Sequence, residues 1–505
     1  MRNLSVCCFP VLNIPVEFGN QKSREMNILT QQGHCPGRIA VPSSRRQMLA
    51  TASTGFGLMS LSALMTDNAY ADTVASSACH FAPKCKNVVF LFMPGGVSHV
   101  DSFDPKTELA KHDGQQLGEW AKRAGRKSPA TPNRKWKKCP WEFRNHGDAG
   151  IPVSELFPHI AGCVDEIAVI RSMVAELPLH AAGNLFLHSG RLRAGSPSLG
   201  SWINYGLGSE SQNLPGYVLL NSGAVPPGGK ENFSNGYLPA SYQATSVRAE
   251  GEPLRNIAPA RPGAQQLKLK WLLEQDRSFA KEVGEHAGIE SAIRNYEMAF
   301  RMQTAVPDTL DLSQETAATQ ERYGLNAEDK DLRSYATQCL RARRLIEAGV
   351  RFVEITANPV GLDNGSWDQH ANLKPHHEKN ALVTDQPIAA LIKDLKQRGL
   401  FDETLILWAG EMGRTPHTGN GHGRDHHTSG FSVWLAGGGI KGGTIHGATD
   451  EFGMHAVENP VSMHDLHATI LHLLGLDHER LTVRYGGRDM RLTDVHGHVV
   501  DDILS

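Results

Sequence analysis

The run Val88-Val89-Phe90-Leu91-Phe92-Met93 is apolar at every position and ends in Pro94-Gly95-Gly96. It predicts a parallel strand buried on both faces that feeds a loop, the first strand of a core sheet. Similar short runs recur at Ile167 to Ser172, Pro215 to Leu220, Arg351 to Thr356, Thr404 to Ala409 and Phe431 to Ala436. Between them the period lengthens. From about Leu267 to Gly349 the pattern is helical, with Leu340, Leu345 and Ile346 on one face before Gly349 stops it. A second helix is expected from about Asn380 to Arg398, and an amphipathic one closes the core over Val461 to Leu474. Strand alternating with helix predicts an α/β fold, with a mostly parallel sheet covered on both faces. Residues 106–150, rich in Lys, Arg, Gly and Pro, read as an excursion on the surface of a single domain running from about 84 to 505.

The start of the chain has a different pattern. Ser44-Arg45-Arg46-Gln47-Met48-Leu49 precedes an apolar run to about Met65 and then Ala69-Tyr70-Ala71, the layout of a twin-arginine signal with its cleavage site. The competing reading is a short buried helix behind two surface arginines. Residues 1–71 are thus expected to be an extension and leader that engages the twin-arginine translocase, with Met26 as an alternative start. The mature protein is expected in the periplasm or outside the cell. The apolar run is too short for a stable membrane span.

Composition narrows the partners. Over 505 residues the formal net charge is -2, so nothing points to nucleic acid, and an anionic substrate needs a local site. The 24 histidines concentrate in the last third of the chain beside Asp and Gly, which favours metal or acid/base chemistry. None of the eight cysteines is in CxxC spacing, and Cys79 with Cys85, or Cys139 with Cys163, are the pairings considered for an oxidising compartment.

Ligands of open parallel sheets bind beyond the carboxyl ends of the strands, and polar clusters fall there. After the first strand comes Ser98-His99-Val100-Asp101-Ser102-Phe103-Asp104; after the Arg351 strand, Trp367-Asp368-Gln369-His370; after the Thr404 strand, Glu411-Met412-Gly413-Arg414 and then Arg424-Asp425-His426-His427. Each Asp–His pair alone is ordinarily a hydrogen-bonded loop feature, but three clusters at three strand ends suit a divalent-metal site for phosphoryl or sulfuryl transfer. Asp368, His370, Asp425 and His426 are the candidate ligands. Arg414 and Arg424 are candidates to grip an anion, with bracing of Glu411 by Arg414 as the competing reading.

The leader and these motifs together (Phe92 to Lys106, Trp367 to His370, Glu411 to Pro416, Gly423 to His426 and Gly447 to Asp450) resemble the secreted bacterial family catalogued as domain of unknown function 1501, grouped with the alkaline phosphatase and sulfatase superfamily. The resemblance covers about residue 84 to the end. It implies a three-layer α/β/α sandwich that hydrolyses an anionic sulfate or phosphate ester, sulfated polysaccharide among them, with zinc, calcium or manganese. Matching Gly190 places His180 where the superfamily's nucleophile lies, leaving His180 as metal ligand, as nucleophile or as a helix-start histidine. No Cys-x-Pro-Ser-Arg is present, so formylglycine chemistry is not expected. The superfamily's first-strand aspartates fall on Pro94 and Gly95, so Asp101 or Asp104 is asked to supply that ligand. Its Asp-His falls on Glu411-Met412, leaving Glu411 as ligand or base. Ser98, beside His99, is the fallback nucleophile, against a plain turn or cap serine. The alternative to an enzyme is an inactive relative that binds anionic polysaccharide or serves as an envelope scaffold.

Overall fold

The structure, a computed structural model, describes residues 79–221, 225–249, 253–254, 257, 262–283, 287–357, 367–419 and 422–505. The expected leader and the alternative start at Met26 lie outside the described residues. The main sheet contains β1 (Asn87–Phe92), β2 (Ile167–Val174), β3 (Tyr217–Asn221), β4 (Thr245–Arg248), β5 (Phe352–Thr356), β6 (Thr404–Ala409), β9 (Phe431–Ala436), β10 (Thr444–His446) and β11 (Val461–Ser462). A separate hairpin joins β7 (Gly413–Thr418) to β8 (Arg424–His427). The order across the sheet is β10-β2-β9-β6-β1-β5-β3-β4, with β11 also on β2.

All strand pairings in this sheet are parallel except those of β9, which runs antiparallel to both β2 and β6. The cause is the connection: between β6 and β9 the chain makes the β7–β8 hairpin instead of a crossover helix, so it re-enters the sheet at the end where β6 left it.

An all-apolar strand still alternates. Val88, Phe90 and Phe92 of β1 enter one hydrophobic core, Val89 and Leu91 the other. The first core packs under α1 (His180–Ser189), α2 (Leu199–Leu207) and α7 (Met463–Leu473); the second under α5 (Lys330–Glu347) and α6 (Leu373–Gln397), with residues of α4 (Ala287–Leu310). The helix α3 (Pro262–Val283) lies against α4. The result is a mixed α/β sandwich with a mostly parallel central sheet. Helix ends follow their sequence: Asp329 caps α5 through the amides of Asp331 and Leu332, and Ser462 with Asp465 forms a capping box on α7.

Two expectations shift. The helix expected from Asn380 begins at Leu373, because Pro375 sits in the first turn, where its missing N–H is not needed. The 106–150 excursion is partly ordered: it holds helices at Thr107–Lys111 and Leu117–Arg123, and its Leu109, Leu117 and Trp136 pack with Val100 and Phe452 in a satellite core. Cys79, Cys85, Cys139, Cys163 and Cys339 are all free thiols, so neither considered disulfide is formed. No helix among the described residues is long and apolar enough to cross a membrane.

Candidate metal centre

The loops after β1, β5 and β6 meet at the carboxyl end of the sheet. Gly96 makes that approach close: its φ is +83°, and a Cβ there would lie 2.7 Å from the Met412 carbonyl oxygen. Glu411, just past β6, is fully buried and accepts hydrogen bonds from the Gly95 amide at 3.0 and 3.1 Å. Helix α1 points its first residue, His180, at the same spot. One turn on, Gly183 offers only a hydrogen where a Cβ would come within 3.1 Å of Glu411 Cγ.

Three imidazoles converge on Asp368. In each, Nδ1 is held by an oxygen: His180 by Glu411 Oε1 at 2.6 Å, His370 by Asp425 Oδ1 at 2.9 Å and His426 by the Pro178 carbonyl at 2.8 Å. A carbonyl only accepts, so Nδ1 of His426 carries the proton, and the carboxylates favour the same tautomer in the other two rings. When neutral, as metal ligands are, the rings present Nε2 lone pairs. These lie 3.1 Å (His180), 3.1 Å (His370) and 3.2 Å (His426) from an Asp368 oxygen, and His370 Nε2 is 3.0 Å from His426 Nε2. Lone pairs facing lone pairs at such distances repel unless a proton or a metal cation lies among them.

Without a metal ion, the carboxylates draw a proton to His180 instead: burial works against a charge on the ring, but hydrogen bonds to Asp368 and Glu411 outweigh it and push the imidazole up to about 9, a positive charge that a bound cation would replace. Burial alone would raise the Asp368 carboxyl; hydrogen bonds from His180 and His426 and the Arg414 charge hold it well below the usual carboxylate range. His180, Asp368 and His426 offer ligand atoms within 4.8 Å of one another, the geometry a cation needs, and the donor set fits a divalent ion.

Of the residues singled out in the sequence, His180, Asp368, His370, His426, Asp425 and Glu411 are brought together. Asp101 is not. It is fully buried in a two-pronged ion pair with Arg424, at 2.6 and 2.8 Å, because the Arg424 guanidinium, also fully buried, needs a charge partner. Ser98 is likewise committed, its hydroxyl donating to Asp101 Oδ2 at 2.6 Å inside the protein. Asp104 binds Lys106 at 2.9 Å, away from the cluster. Arg414 is fully buried and donates to the carbonyls of Gly95, Gly96 and Arg424 and to Asp368 at 2.6 Å; its acidic partner is Asp368 rather than Glu411. One contributor escaped the sequence reading: Arg134, from the excursion, lies 3.1 Å from Asp425 Oδ2. Nothing in the basic stretch Arg134-Lys135-Trp136-Lys137-Lys138 singles it out.

Fold and site together define an α/β sandwich protein with a carboxylate–imidazole cluster at the strand ends. Residues 85–504 match the family described as protein of unknown function (DUF1501), and the chain belongs to that family. No curated protein sequence matches it. Among solved structures it is similar to the PsFucS1 sulfatase from Pseudoalteromonas sp. (13% identity, 85% of this chain and 73% of that one, TM-score 0.36). It is also similar to a protein in the alkaline phosphatase superfamily from Vibrio parahaemolyticus (9% identity, 83% and 74%, TM-score 0.32). A third is the phosphonate monoester hydrolase SpPMH from Silicibacter pomeroyi (13% identity, 63% and 68%, TM-score 0.29).

Proposed function

We propose that this chain is an exported, metal-dependent hydrolase of sulfate or phosphate esters, with His180, Asp368 and His426 as ligands and His370 beside them. The observation that carries the reading is the convergence of three oriented Nε2 atoms on one carboxylate. Nitrogen-rich donors favour zinc over calcium and manganese, which prefer oxygen. A bound divalent cation would supply Lewis-acid polarisation of a sulfuryl or phosphoryl oxygen.

The chain's own residues do the rest. Glu411, braced by the Gly95 amide, fixes the His180 ring; Pro178 and Asp425 fix those of His426 and His370. Arg414 balances Asp368 and ties the β1 loop to β7. His370, the most solvent-open of the three rings with 41% of its side chain exposed, is placed to pass a proton between water and the bound ester, with Asp425 holding its orientation. Export rests on the twin-arginine pattern at Ser44 to Ala71.

One observation favours the binding-protein alternative: both arginines expected to grip an anion are fully buried and committed to groups of the chain itself. Elemental analysis of the chain from about Asp72, in wild type and Asp368→Ala, with 4-nitrophenyl sulfate and phosphate as substrates, separates the readings. Stoichiometric metal that falls in the variant, with turnover, supports the hydrolase. Metal without turnover favours the binder. A folded wild type that stays metal-free after incubation with zinc, manganese and calcium sinks the metal centre.

A further inference from the structure

The opposite end of the sheet holds a second concavity, far from the metal centre. It opens at the amino ends of β3 and β4, beside Pro215, Gly216 and Thr245, and is closed by α2 and by one face of α4. Its cavity volume is about 320 Å³. The candidate metal centre lies past the carboxyl ends, so at least a strand's length, roughly 17 Å, separates the two.

Its chemistry differs from the rest of the surface. Arg294, one turn before Met298 on α4, is exposed at the rim and forms no ion pair with any of the described residues. Arg301, two turns along the same face, donates to the Gln212 carbonyl at 2.7 Å and lies 3.5 Å from Glu297, which Arg277 also approaches, at 3.6 Å. Arg277 and Arg301 thus share one carboxylate, and Arg294 is left outside that pairing. Deeper in the lining, Asn204 is 6% exposed. The hydroxyl of Ser241 is buried and has no hydrogen-bond partner among the described residues. A buried hydroxyl without a partner costs free energy that a ligand's polar group would recover. Met298, Met302 and Ala240 supply apolar wall between them.

We propose that this pocket binds a small, singly charged, polyhydroxylated anion, of the chemical class of a uronic acid or a monosulfated hexose. The guanidinium of Arg294 meets the anionic group, while Asn204 and Ser241 take the hydroxyls. The volume admits one sugar ring and not an oligomer. A nucleotide, with several negative charges and a base, exceeds both the space and the free positive charge. Because it lies at the other end of the sheet, the site does not depend on the metal centre.

The test uses the full mature chain, D-glucuronate as a probe with no ester for the metal centre to cleave, and D-glucose as its uncharged counterpart, with binding read by ligand-observed NMR and titration calorimetry. Wild type and Asp368→Ala should bind glucuronate alike. Arg294→Glu, a change at an exposed position, should weaken it about tenfold or more, as loss of a charged hydrogen bond does, and Ser241→Ala should weaken it less. Glucose should bind more weakly than glucuronate to the wild type. The proposal is overturned if glucuronate does not bind saturably, if glucose binds as well, if Arg294→Glu leaves affinity unchanged, or if Asp368→Ala abolishes binding.

Discussion

Removing the charge of Asp101 should cost stability and leave the metal centre intact. The carboxylate and the Arg424 guanidinium are both fully buried and make two contacts, at 2.6 and 2.8 Å. Burial alone would raise the Asp101 carboxyl, but the Arg424 charge outweighs it and holds the group below its usual range. Asp101→Asn preserves the shape and strands the Arg424 charge, which in buried pairs costs about 3–5 kcal/mol. At about 2 cal/mol/K of unfolding entropy per residue, a domain of this length loses roughly 3–6 °C of Tm. Asp368→Asn is the counterpart. Arg414 is also fully buried and pairs with Asp368, so this variant should lose stability as well, but unlike Asp101→Asn it should also lose its metal. Thermal unfolding followed by circular dichroism, paired with metal content, reads both. An Asp101→Asn protein that melts with the wild type, or that loses metal in step with Asp368→Asn, refutes the assignment of Asp101 to scaffolding.

The acid side of the stability profile should depend on buried neutral histidines. His467 is wholly buried and donates to the Leu187 carbonyl, and burial pulls it down from 6.5 to about 3. The unfolded chain therefore takes up the proton first: this contribution is complete above pH 6.5 and is lost as pH falls from 6.5 towards 3, by about 1.4 kcal/mol per unit. Urea melts of wild type and His467→Gln at pH 7 and pH 5 should show a shallower acid loss in the variant; equal losses would show that the ring is not held neutral. Gly96→Ala places a Cβ at φ +83° and 2.7 Å from the Met412 oxygen, so it should destabilise the fold by about 1–3 kcal/mol and loosen metal retention; a variant indistinguishable from wild type in both would mean that the two loops are not locked together there.

The buried strands were legible because burial on both faces writes an uninterrupted apolar run: β6 and β9 occupy the expected residues. The direction of β9 was not, since direction depends on what the preceding connection forms, and the β7–β8 segment carries too many polar residues to announce a hairpin. At the site, Asp368, His370, Asp425 and His426 stood out as loop residues past strand ends, and the structure brings them together. Asp101 and Arg414 stood out for the same reason, yet a sequence does not distinguish a charge aimed at a ligand from one buried against an opposite charge. Arg134 acts across nearly three hundred residues of chain, and the Ser241 hydroxyl matters only through the partner it lacks, a property without any sequence signature.

The hairpin that turns β9 around also divides labour among three consecutive residues. Arg424 reaches down to Asp101, Asp425 sideways to His370, and His426 up to Asp368, and the pairing register with β7 shifts between Arg424 and His426. A one-residue slip in a hairpin exchanges inward and outward side chains. The number of residues between Thr418 and Arg424 is therefore part of the ligand geometry: an insertion or deletion there would send an arginine into the metal cluster and leave a histidine in the core, so this stretch should hardly ever evolve by change of length, and Gly419 and Gly423, where a Cβ would lie 2.7 Å from Asp425 Oδ1 and closer still to the Gln369 carbonyl oxygen, should hold their identity too.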